Sequence, residues 1–446
     1  MRTLTHRPSR LKPVARIALT ALALAAPGLG FAQSLQELYE ASRAFDATYL
    51  AAKANAQSAE YRAAQFEALL RPSAAATAGA STAQTDLPRL GRGDTSTVQG
   101  AINGRYPLFN RANGVTVEQA RKSLVTAQAD LDAAEQDLIL RLAQAYFDVI
   151  AAQDTLATTQ TSKAAITEQL ASAKRNFEAG TATITDTREA QARFDLATAQ
   201  ELAADNDLRS KRIALDTLVG RTAVAPRPLV VPVVLPGTTP PNPEEWVTVA
   251  DQQHPTVRRA RVGLEVAQLE TAKARAGDLP TVDAVASVGA NHSRGSGVQL
   301  PGTTTSASLG VQMNWPLYSG GATQNRIKET LLLEEKSRND LEAARRAVAQ
   351  ATRVAYFGVQ SGLAQVKALE AAESSSKLAL EATQLGYRVG VRVNLDVLNA
   401  QTQLFTTQRD LAKARYDVLV GGLRLLQASG QLSAADVAAL NRLLAR

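Results

Sequence analysis

Two stretches of nearly seventy residues, 111–178 and 322–388, carry helix-forming composition without a single proline, and no other feature restricts the fold so strongly. At 1.5 Å of rise per residue each forms a rod about 100 Å long, more than a compact domain can use. Such rods must span something. Apolar and small residues recur along them at heptad spacing: Leu124, Leu131, Leu138 and Ala145 in the first, Leu341, Val348, Ala355, Gly362 and Leu369 in the second. This is the pattern of helices packed as a coiled coil. Ala344, Ala351, Gly358 and Ala372 keep the neighbouring position small, which lets helix axes approach closely.

The rods belong to a longer duplication. AYFDV at 145–149 returns as AYFGV at 355–359, a shift of 210 residues. At the same shift FEAG (177–180) answers YRVG (387–390), Asp186 answers Asp396, and Gly220 answers Gly430. RYPLFN (105–110) pairs with NWPLYS (314–319) at a shift of 209, and Pro72 with Pro280 at 208. The chain therefore reads as two copies of one design. The first copy occupies 33–220, with a helix over 35–70, a β-hairpin at 73–107, the long helix 111–178 and a second helix 184–220. The second occupies 256–430, with a helix, a hairpin at 281–316, the long helix 322–388 and a helix 394–430. Between them, 221–255 holds eight prolines and reads as a linker or wrapping segment without regular helix. Residues 431–446 read as a C-terminal helix. Gly180 and Gly390 stop the two rods, as left-handed closing residues do.

The hairpins alternate. Val98, Gly100, Ile102, Gly104 and Tyr106 share one face, and Gln99, Ala101, Asn103 and Arg105 the other. In the second copy Ala307, Leu309, Val311, Met313 and Trp315 alternate with Ser308, Gly310, Gln312 and Asn314. Each hairpin ends on an aromatic-proline step, Tyr106-Pro107 or Trp315-Pro316. One apolar face closed by an interfacial aromatic is the mark of a membrane β-barrel strand, although the edge of a soluble sandwich shares the alternation. Strands in lipid must pair every backbone group, so four strands per chain need sister chains to close a ring of eight, twelve or sixteen. Eight would be filled by side chains; twelve or more leaves a lumen.

Composition narrows the rest. Residues 1–32 carry Arg2, Arg7, Arg10, Lys12 and Arg16 ahead of an apolar run, 17–26, and small residues before Gln33, which reads as a signal peptide cleaved after Ala32, an uncleaved anchor being the alternative. Removing those five cations lowers the formal charge from +7 to +2, so a nucleic-acid partner loses its electrostatic footprint. With no cysteine there is no disulfide, no thiolate metal site and no lipidated N-terminal Cys. Only His6, His254 and His292 are present, and HExxH, GxSxG and GxxxxGK motifs are absent; no enzyme chemistry, metal or cofactor is expected, and energy for transport would have to come from a partner.

The order of helix, proline-bounded hairpin, AYFDV rod, FEAGTATITD turn (177–186), proline-rich centre, WPLYSGG (315–321) and YRVGVRVNLDVLNA (387–400) resembles the TolC-type outer-membrane channel family over nearly the whole chain from Leu35 to Asn441. The resemblance implies an α+β membrane protein: a homotrimer whose twelve strands form one transmembrane β-barrel in outer-membrane lipid, continued by a coiled-coil α-helical barrel through the periplasm. It implies as partners a periplasmic membrane-fusion adaptor and an inner-membrane ABC or RND-type transporter. It places Gly180 and Gly390 at a closed periplasmic tip, with Thr185, Asp186, Tyr387 and Arg392 as gate residues. Asp396 matches one acidic ring of the constriction, while Asn399 stands where a second would be. Read from the residues alone, Thr185, Asp186, Asn394 and Asp396 suit helix caps, Tyr387 packing, and Arg392 a solvated cation. Tyr146, Phe147, Tyr356 and Phe357 are expected to seal helix packing at mid-rod. Tyr106 and Trp315 are expected at the lipid interface. Trp246 has no place in this reading. Drugs and secreted polypeptides are both open as cargo, and a periplasmic structural coiled coil or adaptor is the alternative function.

Overall fold

The computed structural model describes residues 33–87, 91–230, 232–295 and 301–445; the expected signal segment lies outside them. Helices α1 (Leu35–Phe45) and α2 (Ala47–Glu67) lead through one 3-10 turn into strands β1 (Ser73–Leu87) and β2 (Gly91–Phe109), then the rod α3 (Arg111–Glu178) and helix α4 (Ile184–Val219). After α5 (Pro243–Gln253), the order recurs as α6 (Pro255–Arg275), β3 (Thr281–Gly295), β4 (Gly302–Asn314), the rod α7 (Ala322–Arg388) and α8 (Asn394–Ala428), and α9 (Ala434–Asn441) follows.

The rods measure 68 and 67 residues. α3 packs on α4 and α8, and α7 on α8 and, nearer the strands, α6. The heptad seam lies at these contacts: Leu138, Leu341 and Val348 are buried, and Leu124, Leu131, Ala145, Ala355, Gly362 and Leu369 half-buried. A Cβ on Gly362 would sit 2.8 Å from Val418 Cγ2, so α7 and α8 approach as closely there as only glycine allows.

Two expectations fail at helix breaks. The helix expected over 35–70 divides at Asp46, which ends α1 and caps α2 by accepting from Tyr49 N at 2.8 Å, while Arg141 binds the same carboxylate at 3.0 Å. The proline-rich centre does contain a helix, α5. Pro243 occupies its first turn, where no N–H is needed, Asn242 accepts from Glu244 N, and Glu244 and Glu245 favour the helix dipole. Trp246 on α5 is buried against Tyr356, Val359 and Leu425, and its Nε1 donates to Pro240 O at 2.9 Å. At the far end, α9 is shorter than the helix expected over 431–446.

The main core gathers where α1, α9 and the side chains of Val224, Leu229, Val233 and Leu235 wrap the middle of α3 and the C-terminal parts of α4 and α8. Tyr146 and Phe147 lie at its centre, 0% and 1% exposed. Tyr146 Oη accepts from Arg227 N at 2.8 Å and donates to Arg227 O at 3.1 Å, tying the wrap to the rod. Phe147 stacks on Tyr416 with ring centroids 5.9 Å apart, and Tyr416 Oη donates to Asp154, whose carboxyl is held above the usual range by burial. The second copy departs from the first: Tyr356 is buried beneath α5, whereas Phe357 is 59% exposed. Trp246 of α5 and Leu425 of α8 cover Tyr356, and Phe357 is left open.

His254 joins α5 to α6. Its N–H donates to Ala250 O at 3.0 Å and its Nδ1 accepts from Thr256 N at 3.1 Å, capping α6. Gly430, at φ +75°, touches this corner so tightly that a Cβ would meet His254 Cα at 2.6 Å. Burial holds the His254 imidazole below its ordinary pKa of 6.5. The unfolded chain then takes up a proton that the folded chain refuses, so the His254 contribution is complete above about pH 6.5 and declines as pH falls below it. Asparagine retains a capping acceptor without titrating. Denaturant midpoints measured at about pH 7.5 and 5.5 should therefore fall less in His254→Asn than in the wild type; equal falls would discount the residue.

The four strands form one antiparallel sheet in the order β1-β2-β3-β4, all longer than the alternating stretches that suggested them. The central β2-β3 pairing joins the two copies, with Ile102 opposite Val288 and Tyr106 opposite Ala284. Register puts the large exposed apolar side chains on one side, although Val285 lies on the other. Val98, Ile102, Val288, Leu309, Val311 and Met313 are all more than half exposed there, and Leu309 reaches 85%. The other side is polar, with Ser287 Oγ bonded to Ser308 Oγ at 2.8 Å and Arg105 to Asp283 at 2.6 Å. A wholly exposed apolar face, with the polar residues gathered on the opposite one, is unlike the sheet of a water-soluble protein, which covers its apolar side. No helix among the described residues is long and apolar enough to cross a membrane.

Candidate functional site

Two regions hold the residues singled out by the sequence. At the rod end of the sheet, Tyr106 is 44% and Trp315 53% exposed, both beside the apolar face; Trp315 Nε1 donates to Asp278 O at 3.2 Å. Leu317 and Tyr318, 82% and 89% exposed, extend this rim beyond the end of β4. Tyr106-Pro107 does not end its strand: β2 continues to Phe109 through an irregularity between Pro107 and Phe109, where proline cannot donate to the ladder.

The second region is the opposite end of the rods. Gly180 and Gly390 have φ of +73° and +81°, the left-handed closure expected of them. The two turns are built alike: Thr181 N and Ala182 N donate to Asn176 O, and Val391 N and Arg392 N donate to Gly386 O. Asn176 and Gly386 are related by the 210-residue shift, so the duplication extends to individual turn bonds.

Thr185 and Asp186 are the second and third residues of α4, inside the helix rather than at the cap position. Thr183 caps the helix by accepting from Asp186 N, and the Asp186 carboxylate accepts from Thr183 N at 3.0 Å and Thr183 Oγ1 at 2.7 Å. Thr185 Oγ1 lies 2.8 Å from Thr183 Oγ1. In α8 the cap position is Val393 rather than Asn394, and Asp396 accepts from Val393 N at 3.4 Å. Arg392, in the turn that precedes α8, pairs with Asp396 in the first turn of that helix, at 3.7 Å. Within one chain Asp186 and Arg392 therefore serve their own hairpins.

The bonds that cross between hairpins use other partners. Asn176 Nδ2 on α3 donates to Tyr387 Oη on α7 at 3.1 Å. Arg193 Nη2 on α4 donates to Asn399 Oδ1 on α8 at 2.9 Å. Gln169 on α3 donates to Asn394 on α8, and the Asn394 Nδ2 is buried without a partner among the described residues. Beneath them Ile166, Leu170, Ala173, Ala190, Ala197 and Leu398 form a small apolar cluster. Tyr387 and Asn399 thus do reach across, but toward Asn176 and Arg193. Sequence reading missed Asn176, Gln169 and Arg193, since isolated polar residues on a helix look like a solvated face, and it took Asn394 for a cap. Among the described residues no group of His, Asp or Glu side chains is arranged to hold a metal.

Comparison with known proteins agrees with this architecture. The outer membrane efflux protein family matches at residues 38–221 and 246–431, one match in each half. The outer membrane protein TolC of Vibrio cholerae is 32% identical over 415 residues, covering 92% of this chain and 94% of that protein. The alkaline protease secretion protein AprF of Pseudomonas aeruginosa is 33% identical over 310 residues, 68% of this chain and 63% of that one. The crystal structure of the outer membrane protein VceC from Vibrio cholerae superimposes with a TM-score of 0.76 at 19% identity, covering 89% of this chain and 96% of that one. Its likeness concerns the fold; the relatives named are channel and secretion proteins rather than enzymes. With an outward apolar sheet face, paired rods and a match in each half, this outer-membrane chain belongs to the outer membrane efflux protein family.

Proposed function

We propose that three copies of this chain close into one ring, a twelve-stranded barrel in the outer membrane continued by a helical tunnel, and that the ring is the exit duct of a tripartite export system. The observation that carries the reading is an unfinished surface. β1 and β4 are the edges of the sheet and carry unpaired backbone groups beside an apolar face, which lipid does not tolerate. Since β1 and β4 run in opposite directions, β4 of one copy meets β1 of the next antiparallel, and twelve strands leave a lumen.

The helices are unfinished at the same two sides. Leu196, Leu202 and Ile213 on α4, and Val354, Phe357 and Leu378 on α7, are each more than half exposed. Their heights agree: Leu196 and Leu378 lie about 18 and 15 Å from the tip ends of their helices, Ile213 and Phe357 about 44 and 46 Å. A ring seats α4 of one copy on α7 of the next, which gives Phe357 the cover it lacks in the single chain.

Cargo enters through partners: a periplasmic membrane-fusion adaptor and an inner-membrane ABC or RND-type transporter, since this chain has no phosphate-binding loop of its own. The polar inner sheet face suits drugs, small molecules or unfolded polypeptides, and AprF, named for protease secretion, favours polypeptides. Outer-membrane fractionation and light scattering in detergent test the assembly. A trimer mass from the outer-membrane fraction is expected; a soluble periplasmic monomer would overturn the reading in favour of a structural coiled coil.

A further inference from the structure

Where the rods meet the sheet, two cations stand without partners. Arg111 opens α3 and Arg275 closes α6; both are exposed, and neither guanidinium has an ion-pair or hydrogen-bond partner among the described residues. Both line one cavity of about 610 Å³ between α3, α6 and α7, whose wall includes Gln268, Leu279, Leu331 and Glu334. Gln119 bonds Val266 O and Glu270, so Arg111, two turns nearer the sheet on α3, is level with Arg275 at the end of the antiparallel α6. The neighbouring carboxylates are engaged. Glu334 pairs with Arg338 at 3.2 Å, about 14 Å nearer the tip than Arg275, and Asp278 accepts from Gln324 at 3.4 Å. Lys328 and Glu335, both exposed on α7, cancel, and on the opposite face of α6 Glu270, Lys273, Arg326 and Glu329 balance one another. Three guanidiniums thus stand against two carboxylates around the cavity, with the excess at its sheet end. Leu108 and Phe109 before Arg111, and Leu279 and Trp315 beyond Arg275, are exposed apolar side chains beside that end. Since α6 lies between α3 and α7 of the same chain, ring closure through β1 and β4 leaves the cavity open.

We propose that this cavity binds the phosphate of an anionic membrane phospholipid, with Arg111 and Arg275 on the phosphodiester oxygens and the acyl chains rising beside Phe109, Leu279 and Trp315. The inference rests on the reading of the sheet as spanning lipid. Guanidinium offers paired N–H donors that match phosphate oxygens, and the headgroup layer begins where the hydrocarbon band ends, at the level of interfacial aromatics. No free carboxylate stands at this end of the cavity to receive a headgroup ammonium, which favours an anionic lipid over a zwitterionic one.

Trp315 reports on the site, because its Nε1 donates to Asp278 O three residues beyond Arg275, while Trp246 packs on Tyr356 about 50 Å down α7. The assembled full chain is placed in vesicles whose neutral phosphatidylcholine is replaced stepwise by a brominated lipid, phosphatidylglycerol in one series and phosphatidylcholine in the other, and fluorescence quenching is followed. In the wild type the anionic lipid should reach half its effect at about fivefold lower fraction than the neutral one. Arg111→Gln combined with Arg275→Gln should bring the two series together, and Arg121→Gln, whose arginine pairs with Glu67, should leave them apart. Series that coincide in the wild type, a gap that survives the double variant, or an equal loss in Arg121→Gln would overturn the proposal. Inorganic phosphate at constant ionic strength should not close the gap; if millimolar phosphate closes it, the site belongs to the free ion and the lipid is overturned. Absence of quenching by either lipid would instead defeat the membrane reading of the sheet, and this inference with it.

Discussion

Replacing Leu309 with arginine should keep the chain from assembling in the outer membrane, while arginine at the adjacent Ser308 should be tolerated. The two positions share a strand and differ only in facing. Leu309 lies mid-β4 on the apolar side and is 85% exposed; Ser308 lies on the polar side opposite Ser287. A cation facing lipid near the bilayer midplane costs about 2–4 kcal/mol, against nearly nothing in a wet lumen. A ring incurs that cost once per copy, so the contrast is multiplied by the assembly. Urea titration of folding into lipid vesicles measures it directly. Equal behaviour of the two variants would mean that the sheet does not present this face to lipid.

The second large effect is expected at the tip. Tyr387→Phe combined with Asn399→Ala removes the acceptors for Asn176 and Arg193, and so two of the bonds that hold one hairpin to the other. Each such bond contributes about 1 kcal/mol net, which over three copies moves a closed-open balance by several kcal/mol, more than about a hundredfold. Single-channel conductance should rise sharply. The apolar cluster around Leu398 is untouched, so the hairpins should remain folded, as helix content by circular dichroism would show. Conductance at the wild-type level in a folded, assembled protein would remove both residues from the gate. Arg392→Ala should have a smaller effect within one chain, because its partner Asp396 belongs to the same hairpin and an exposed pair contributes about 0–1 kcal/mol.

Much of this molecule was legible without coordinates because its constraints are periodic. Heptad spacing and the absence of proline specify rods; alternation specifies strands with two faces; a fixed shift of 210 residues relates Gly180 to Gly390 and Tyr146 to Tyr356. What periodicity does not encode was misread. The break at Asp46 and helix α5 depend on single capping residues, Asp46 and Asn242, whose effect is local and outweighs the trend of the segment. Cap positions slipped similarly, since Thr183 and Val393 precede the residues that looked like caps.

Tyr356 and Phe357 repeat Tyr146 and Phe147 in sequence, yet Phe147 is buried and Phe357 exposed, because burial depends on what lies across from a side chain and the two copies are covered by different segments. The tip shows the same division. The sequence determined that two glycine-closed turns would stand at the ends of the rods, since backbone conformation and helix length are properties of neighbouring residues. Only the tertiary structure decided that Asn176 would meet Tyr387 and Arg193 would meet Asn399, because contacts across some 200 residues are set by the packing angle and register of whole helices, which no short stretch of chain specifies.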